Sequence, residues 1–140
     1  MSEQNKAALR RFVDEIMNKG NLKVVDEFIT ADTIDHSLMP GQESGPEGFK
    51  QFVTMFRSAF PDLHVTIEDL IAEGDKLVAQ VSTTGTHKGE FMGIAPTGKQ
   101  IEMGEVHILR MASGKMVEHW GIEDQLGMMM QLGVVPPPQH

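Results

Sequence analysis

LHVTIEDLIAEGDKLVAQVSTTGT, residues 63–86, reads as two strands and the turn between them. Leu63 to Glu68 alternates apolar and polar residues, the period of a half-buried strand. Glu73-Gly74-Asp75-Lys76 is dense in turn formers. Leu77 to Thr86 resumes the alternation, with Leu77, Ala79 and Val81 on one face. Downstream, the glycine-bearing loop His87 to Lys99 leads into a long strand, Ile101 to Met111. Ala112-Ser113-Gly114-Lys115 makes a tight turn into a strand from Met116 to about Gly121. The pattern predicts an antiparallel meander, closed by a helix from about Asp124 to Leu132.

Upstream of this stretch the period changes to that of a helix. Ala8, Phe12, Ile16 and Met17 recur at helical spacing, with Ser2 as a start and Lys19-Gly20 as a stop. Asn21 opens a short second helix through Val24, Val25 and Phe28. A third covers Gly45 to Ala59, with Pro46 in its first turn and Phe49, Phe52, Val53 and Phe56 as its buried stripe. A short extended piece is expected between them, around Ile34 to Leu38. Helices first, then a meander, then one helix is an α+β order. A curved antiparallel sheet closed by the N-terminal helices makes a cone around an apolar pocket, the usual setting of a ligand site.

The 140 residues suit a single domain, 1–140, with about 136–140 a frayed tail after Pro136-Pro137-Pro138. The absence of cysteine excludes disulfides, a thiolate nucleophile and zinc–cysteine sites. The net charge of −8 gives no footprint for nucleic acid and would be repelled by an acidic membrane surface. The N-terminus lacks the apolar core of a signal peptide, and no window nears the roughly 20 apolar residues of a membrane span. A cytoplasmic protein is expected.

Two segments narrow the reading further. One is Gly89-Glu90-Phe91-Met92-Gly93-Ile94-Ala95-Pro96-Thr97-Gly98-Lys99. The other is Gly114-Lys115-Met116-Val117-Glu118-His119-Trp120 with the ending Asp124-Gln125-Leu126-Gly127 and Gln131-Leu132-Gly133. Together they resemble the SnoaL-like polyketide (or ester) cyclases of the nuclear-transport-factor-2-like superfamily. The resemblance implies the α+β cone and an intramolecular aldol cyclisation, or related proton transfer, on a hydrophobic carbonyl compound. It implies no cofactor and no metal, and a homodimer. It also implies that the aspartate after His119-Trp120, Asp124, is the general base. The alternative is a non-catalytic ligand-binding or dimerisation domain of the same fold.

The residues themselves leave several roles open. Asp124 precedes a helical run and would also make a good N-cap, which would hold it ionised. Trp120, Ile122 and Asp124 share strand parity, so His119 faces the other way unless the strand bulges at Gly121. His107 shares parity with Met103, Glu105, Leu109 and Met111; it is either an enolate-stabilising donor or a satisfied core histidine. Of the adjacent Asp35-His36, at most one points inward, and His36 is the expected substrate contact. Trp120, Phe52, Phe56, Phe91, Met103 and Met128 are the expected apolar lining. His64 and His87 are expected on the surface. The loop Gly93 to Gly98 is expected as a lip over the mouth. No metal-ligand spacing is present among the histidines.

Overall fold

Two hairpins organise the sheet. Strands β2 (His64–Glu73) and β3 (Lys76–Thr86) meet at Gly74, whose φ of +62° suits glycine. Strands β4 (Gln100–Ala112) and β5 (Lys115–Glu123) meet at Ser113-Gly114, both with positive φ, the turn that matches strand twist. These antiparallel pairs join edge to edge through β3 and β4, from Lys76 opposite Arg110 to Thr86 opposite Gln100. The computed structural model describes residues 2–136, and all but the first residue of the expected frayed end, about 136–140, lies outside them.

The sheet is mixed rather than wholly antiparallel. A two-residue strand, β1 (Ile34–Asp35), pairs parallel with β5, giving the order β1-β5-β4-β3-β2. The antiparallel meander of β2 to β5 stands as expected, and β1 adds a parallel strand at its edge. A two-residue strand carries no period, so its partner and direction come only from packing. Past Asp35 the pairing continues through side chains. The Ser37 hydroxyl accepts the Gly121 N–H at 2.6 Å and donates to the Gly121 carbonyl at 3.1 Å.

The helices cover one face of this open sheet. α1 (Ser2–Phe12) runs on as a π-helical turn, Val13–Asn18, and ends at Gly20. The Asn18 amide docks that end on the edge of β2. Its Nδ2 donates to the Val65 carbonyl at 3.0 Å, and its Oδ1 accepts the Val65 N–H at 2.6 Å. Arg57 donates to the carbonyls of Met17 and Asn18, satisfying the free helix terminus. A 3-10 turn, Leu22–Val24, leads into α2 (Val25–Phe28). α3 (Gly45–Ala59) has Pro46 in its first turn and buries Val53, Phe56 and Ala59. Gly48 lets the Glu43 carbonyl approach, since a Cβ there would lie 1.8 Å from that oxygen.

Two apolar clusters result. One joins α1, α2 and α3 to the middle of the sheet through Phe12, Ile16, Val25, Phe28, Leu77 and Leu109. The other lies at the far end of β4, where α4 (Gln125–Leu132) packs Met128 and Leu132 on Ile101 and Met103. There the Gln131 amide pairs with the backbone of Glu102, accepting its N–H and donating to its carbonyl.

Candidate active site

Between the helices and the inner face of the sheet lies a cavity of about 150 Å³. Its apolar wall comes from Leu9, Phe12, Val13 and Met17, from Phe49, Phe52 and Phe56 of α3, and from Val65, Val81, Leu109 and Met116 of the sheet. The segment between β1 and α3 adds Leu38, Met39 and Gln42. Against this wall stand Asp35, Thr83, Glu105, His107, His119 and Glu123, all on strands and all facing inward.

Strand register explains the cluster. His119 and Glu123 share parity on β5, and Glu105 and His107 share parity on β4. Pairing sets Glu105 opposite Glu123 and His107 opposite Gly121, and the parallel β1 sets Asp35 beside His119. Gly121 is the gap that makes the cluster possible. A Cβ there would lie 2.8 Å from His107 Nδ1, so only glycine lets that ring lean across to His119.

The result is a continuous chain of hydrogen bonds. His119 Nδ1 donates to Asp35 Oδ1 at 2.9 Å. His119 Nε2 and His107 Nδ1 share a bond of 2.8 Å, and His107 Nε2 and Glu105 Oε1 one of 2.9 Å. The Thr83 hydroxyl donates to the other oxygen of Glu105. Every imidazole nitrogen of the pair is therefore occupied. Burial pushes the Asp35 carboxyl up, but the His119 hydrogen bond and charge, with the Ser37 N–H, outweigh it. Asp35 ends below the ordinary aspartate value, an ionised anchor.

Glu123 goes the other way. Burial pushes its carboxyl up, and the Glu105 carboxyl across the strand pair adds to the push. The Gln125 amide and the two imidazoles oppose without cancelling it. A carboxyl held above its ordinary value beside an apolar wall is suited to take and return a proton.

The residues singled out in the sequence divide between this cavity and other places. His107, His119, Phe52 and Phe56 line it. Asp124 does not: it is exposed at the N-cap of α4, where its Oδ1 accepts the Gly127 N–H at 2.9 Å. Trp120 and Ile122 do share a face, but it is the outer one; the chain leaves β5 at Glu123, before Asp124. His36 also points outward. It stacks on Trp120 with ring centroids 5.0 Å apart and pairs with Glu118 at 2.6 Å. The cause is register: Asp35 sits beside the inward His119, so its neighbour His36 must face out. Phe91, Met103 and Met128 fill the second cluster rather than the cavity, because α4 occupies that end of the sheet. The loop 87–99 contributes no cavity residue and so forms no lip. Phe91 anchors it on Phe56 and Phe60. His87, expected at the surface, is fully buried, stacked on Phe60 and bonded to Thr97.

Asp35, Glu105 and Glu123 are the site residues missed in the sequence. Parity with His107 and His119 marks Glu105 and Glu123; nothing local marks Asp35, which lies 84 positions from His119. Among the described residues no group of three or more His, Asp or Glu is arranged to hold a metal ion.

Fold and site together define a small α+β cone with an apolar chamber and an acid–base cluster on its sheet wall. The family model for SnoaL-like polyketide cyclases matches residues 7–132, and the chain belongs to that family. It is 30% identical over 119 residues to nogalonic acid methyl ester cyclase of Streptomyces nogalater, covering 83% of this chain and 88% of that one. It is 32% identical over 136 residues to aklanonic acid methyl ester cyclase AcmA of Streptomyces galilaeus, covering 95% and 92%. Among solved structures, TsrD from Streptomyces laurentii superimposes with a TM-score of 0.86 at 28% identity, covering 95% of this chain and 97% of that one. No helix among the described residues is long and apolar enough to cross a membrane.

Proposed function

We propose that this chain is a cofactor-free cyclase in which Glu123 is the proton-transfer group. The observation that supports it most is Glu123 itself: a half-buried carboxyl in an apolar cavity, set opposite Glu105 and pushed above its ordinary value. Ionised, Glu123 takes a proton from a carbon next to a carbonyl. The enolate carbon bonds to a second carbonyl carbon of the same molecule, closing a ring. The alkoxide so formed takes the proton back from Glu123, so the step is balanced and needs no cofactor. His107 and His119, tied between Asp35 and Glu105, act as a polar floor that fixes Glu105 facing Glu123 rather than as free donors.

Asp124 is left the role of helix cap, and Glu123 replaces it as the base. The test is Glu123→Gln against Asp124→Asn, assayed on aklanonic acid methyl ester, the compound in the relatives' names. Loss of a general base costs about 10²–10⁴-fold in turnover. Glu123→Gln is expected to fall in that range and Asp124→Asn to stay within a few-fold of the native rate. The reverse order would overturn the assignment.

The homodimer carried by the resemblance is proposed to form through the outer sheet face. Val106, Ile108 and Ile122 are exposed there, Ile122 at 78%, beside Trp120. One end of the face carries Lys76 and Arg110 (the latter shared with Glu118), and the other end carries Glu102. A second copy packed with its strands reversed would set the unlike ends together. Ile122→Arg is expected to give a monomer by analytical ultracentrifugation, and a native chain that sediments as a monomer would refute the dimer.

A further inference from the structure

Three hydrogen bonds join the four polar groups on the sheet wall: Asp35 to His119, His119 to His107, and His107 to Glu105. Each bond needs one hydrogen between its two heavy atoms, whichever way it points. A neutral imidazole brings one N–H, and an ionised carboxylate brings none. Two neutral rings between two carboxylates therefore supply two hydrogens for three bonds. One contact would then set lone pair against lone pair at 2.8 or 2.9 Å, which repels. Choosing other tautomers only moves that contact along the chain.

The surroundings offer no other source of positive charge. The four side chains are no more than 23% exposed. The remaining titratable group facing them is Glu123 of β5, opposite Glu105. The helices and the segment after β1 present no lysine, arginine or further carboxyl to the cavity among the described residues. Three carboxyl groups thus face one partly desolvated space, and a held proton is what relieves them.

We propose that Asp35, His119, His107 and Glu105 together hold one proton more than two neutral imidazoles at neutral pH, a reservoir that passes this proton along the chain and so sets the charge Glu105 presents to Glu123. The proton rests as an imidazolium on either ring or as the acid form of an end carboxyl. Each move carries a hydrogen across one existing bond and leaves all three bonds filled. When Glu123 is ionised, its charge draws the proton to the Glu105 end. When Glu123 is protonated, the proton retreats toward Asp35. Asp35, His107 and His119 are then positioning residues that act on the chemistry through Glu105 and Glu123. The inference rests on reading the cavity as the site, and does not depend on Glu123 being the base.

The test is nitrogen-15 NMR of the histidine rings on the full chain, with carbon-13 NMR of the Asp35, Glu105 and Glu123 carboxyls. Ring nitrogens with and without hydrogen differ widely in shift, and a coupling across N–H···N reports the bond between the rings. At neutral pH the native chain is expected to carry three hydrogens on the four ring nitrogens of His107 and His119, or two with the third on Asp35 or Glu105. Two ring hydrogens with both of those carboxyls ionised would overturn the proposal. Glu105→Gln separates storage from mere structure, because its amide N–H can donate to His107 Nε2 and fill the third bond itself. The ring hydrogens are expected to fall to two while the coupling between the rings persists. Three ring hydrogens in that variant would overturn the proposal, and if the variant loses the coupling the native tally still decides. The ring signals of the native chain are also expected to step toward fewer hydrogens as Glu123 ionises, a step absent from Glu123→Gln. A native chain without that step would overturn the link to Glu123. Native-like turnover in Glu123→Gln would remove the base assignment alone and leave the reservoir standing.

Discussion

Gly121→Ala tests the site through a single methyl group. The added Cβ would lie 2.8 Å from His107 Nδ1 and 3.2 Å from His119 Cε1. Non-bonded heavy atoms rest at about 3.5 Å or more, so the His107 ring must retreat by about 0.7 Å. The backbone cannot yield instead, because Val106 pairs with Ile122 and Ile108 with Trp120 on either side. A retreat of that size takes the 2.8 Å bond between the imidazoles to the edge of hydrogen bonding. One polar partner is then left unsatisfied in a largely buried place, at a cost of about 1–3 kcal/mol. For a chain of this length that lowers the unfolding midpoint by about 3–12 °C. Glu105 loses its fixed position as well, and a misplacement near 1 Å costs about a hundredfold in rate. The assays are thermal unfolding, turnover, and nitrogen-detected NMR of the imidazoles, where the signal joining His107 to His119 should vanish. A variant with native turnover and unchanged imidazole signals would show that the chain of hydrogen bonds is not what organises the site.

Two further outcomes follow from the same geometry. Glu123 binds its proton more tightly folded than unfolded, so native stability is full below the ordinary glutamate value and falls as pH rises through the raised one. Glu123→Gln is therefore expected to be more stable than the native chain at neutral and alkaline pH, with the advantage fading in acid; unfolding midpoints measured across pH check this, and a variant equally stable at every pH would refute it. Asp124→Ala removes the cap on the Gly127 N–H and is expected to cost about 0.5–2 kcal/mol by denaturant titration, with turnover within a few-fold of native.

Period and turn chemistry made most of the architecture legible. Alternation from His64 onward, the turns at Gly74 and Ser113-Gly114, and the stripe of phenylalanines on α3 each follow from local physics, and the elements lie where those signals put them. Parity alone also determined that His119 and Trp120 face opposite ways, and that His107 travels with Glu105.

Parity cannot say which side is inside. A tryptophan is the residue one would bury and a histidine the one to expose, yet Trp120 lies on the outer face against His36 and Lys76 while His119 faces the cavity. That choice depends on partners distant in the chain. Buried imidazoles are tolerated only because Asp35 and Glu105 satisfy them, and Asp35 arrives through a two-residue strand whose pairing no local pattern encodes. The same packing turned Asp124 into a cap and Glu123 into the cavity carboxyl, although the two are neighbours. The sequence by itself determined which residues share a face; only the assembled sheet, with β1 added alongside β5 and the helices laid over one side, decided which face encloses the chemistry.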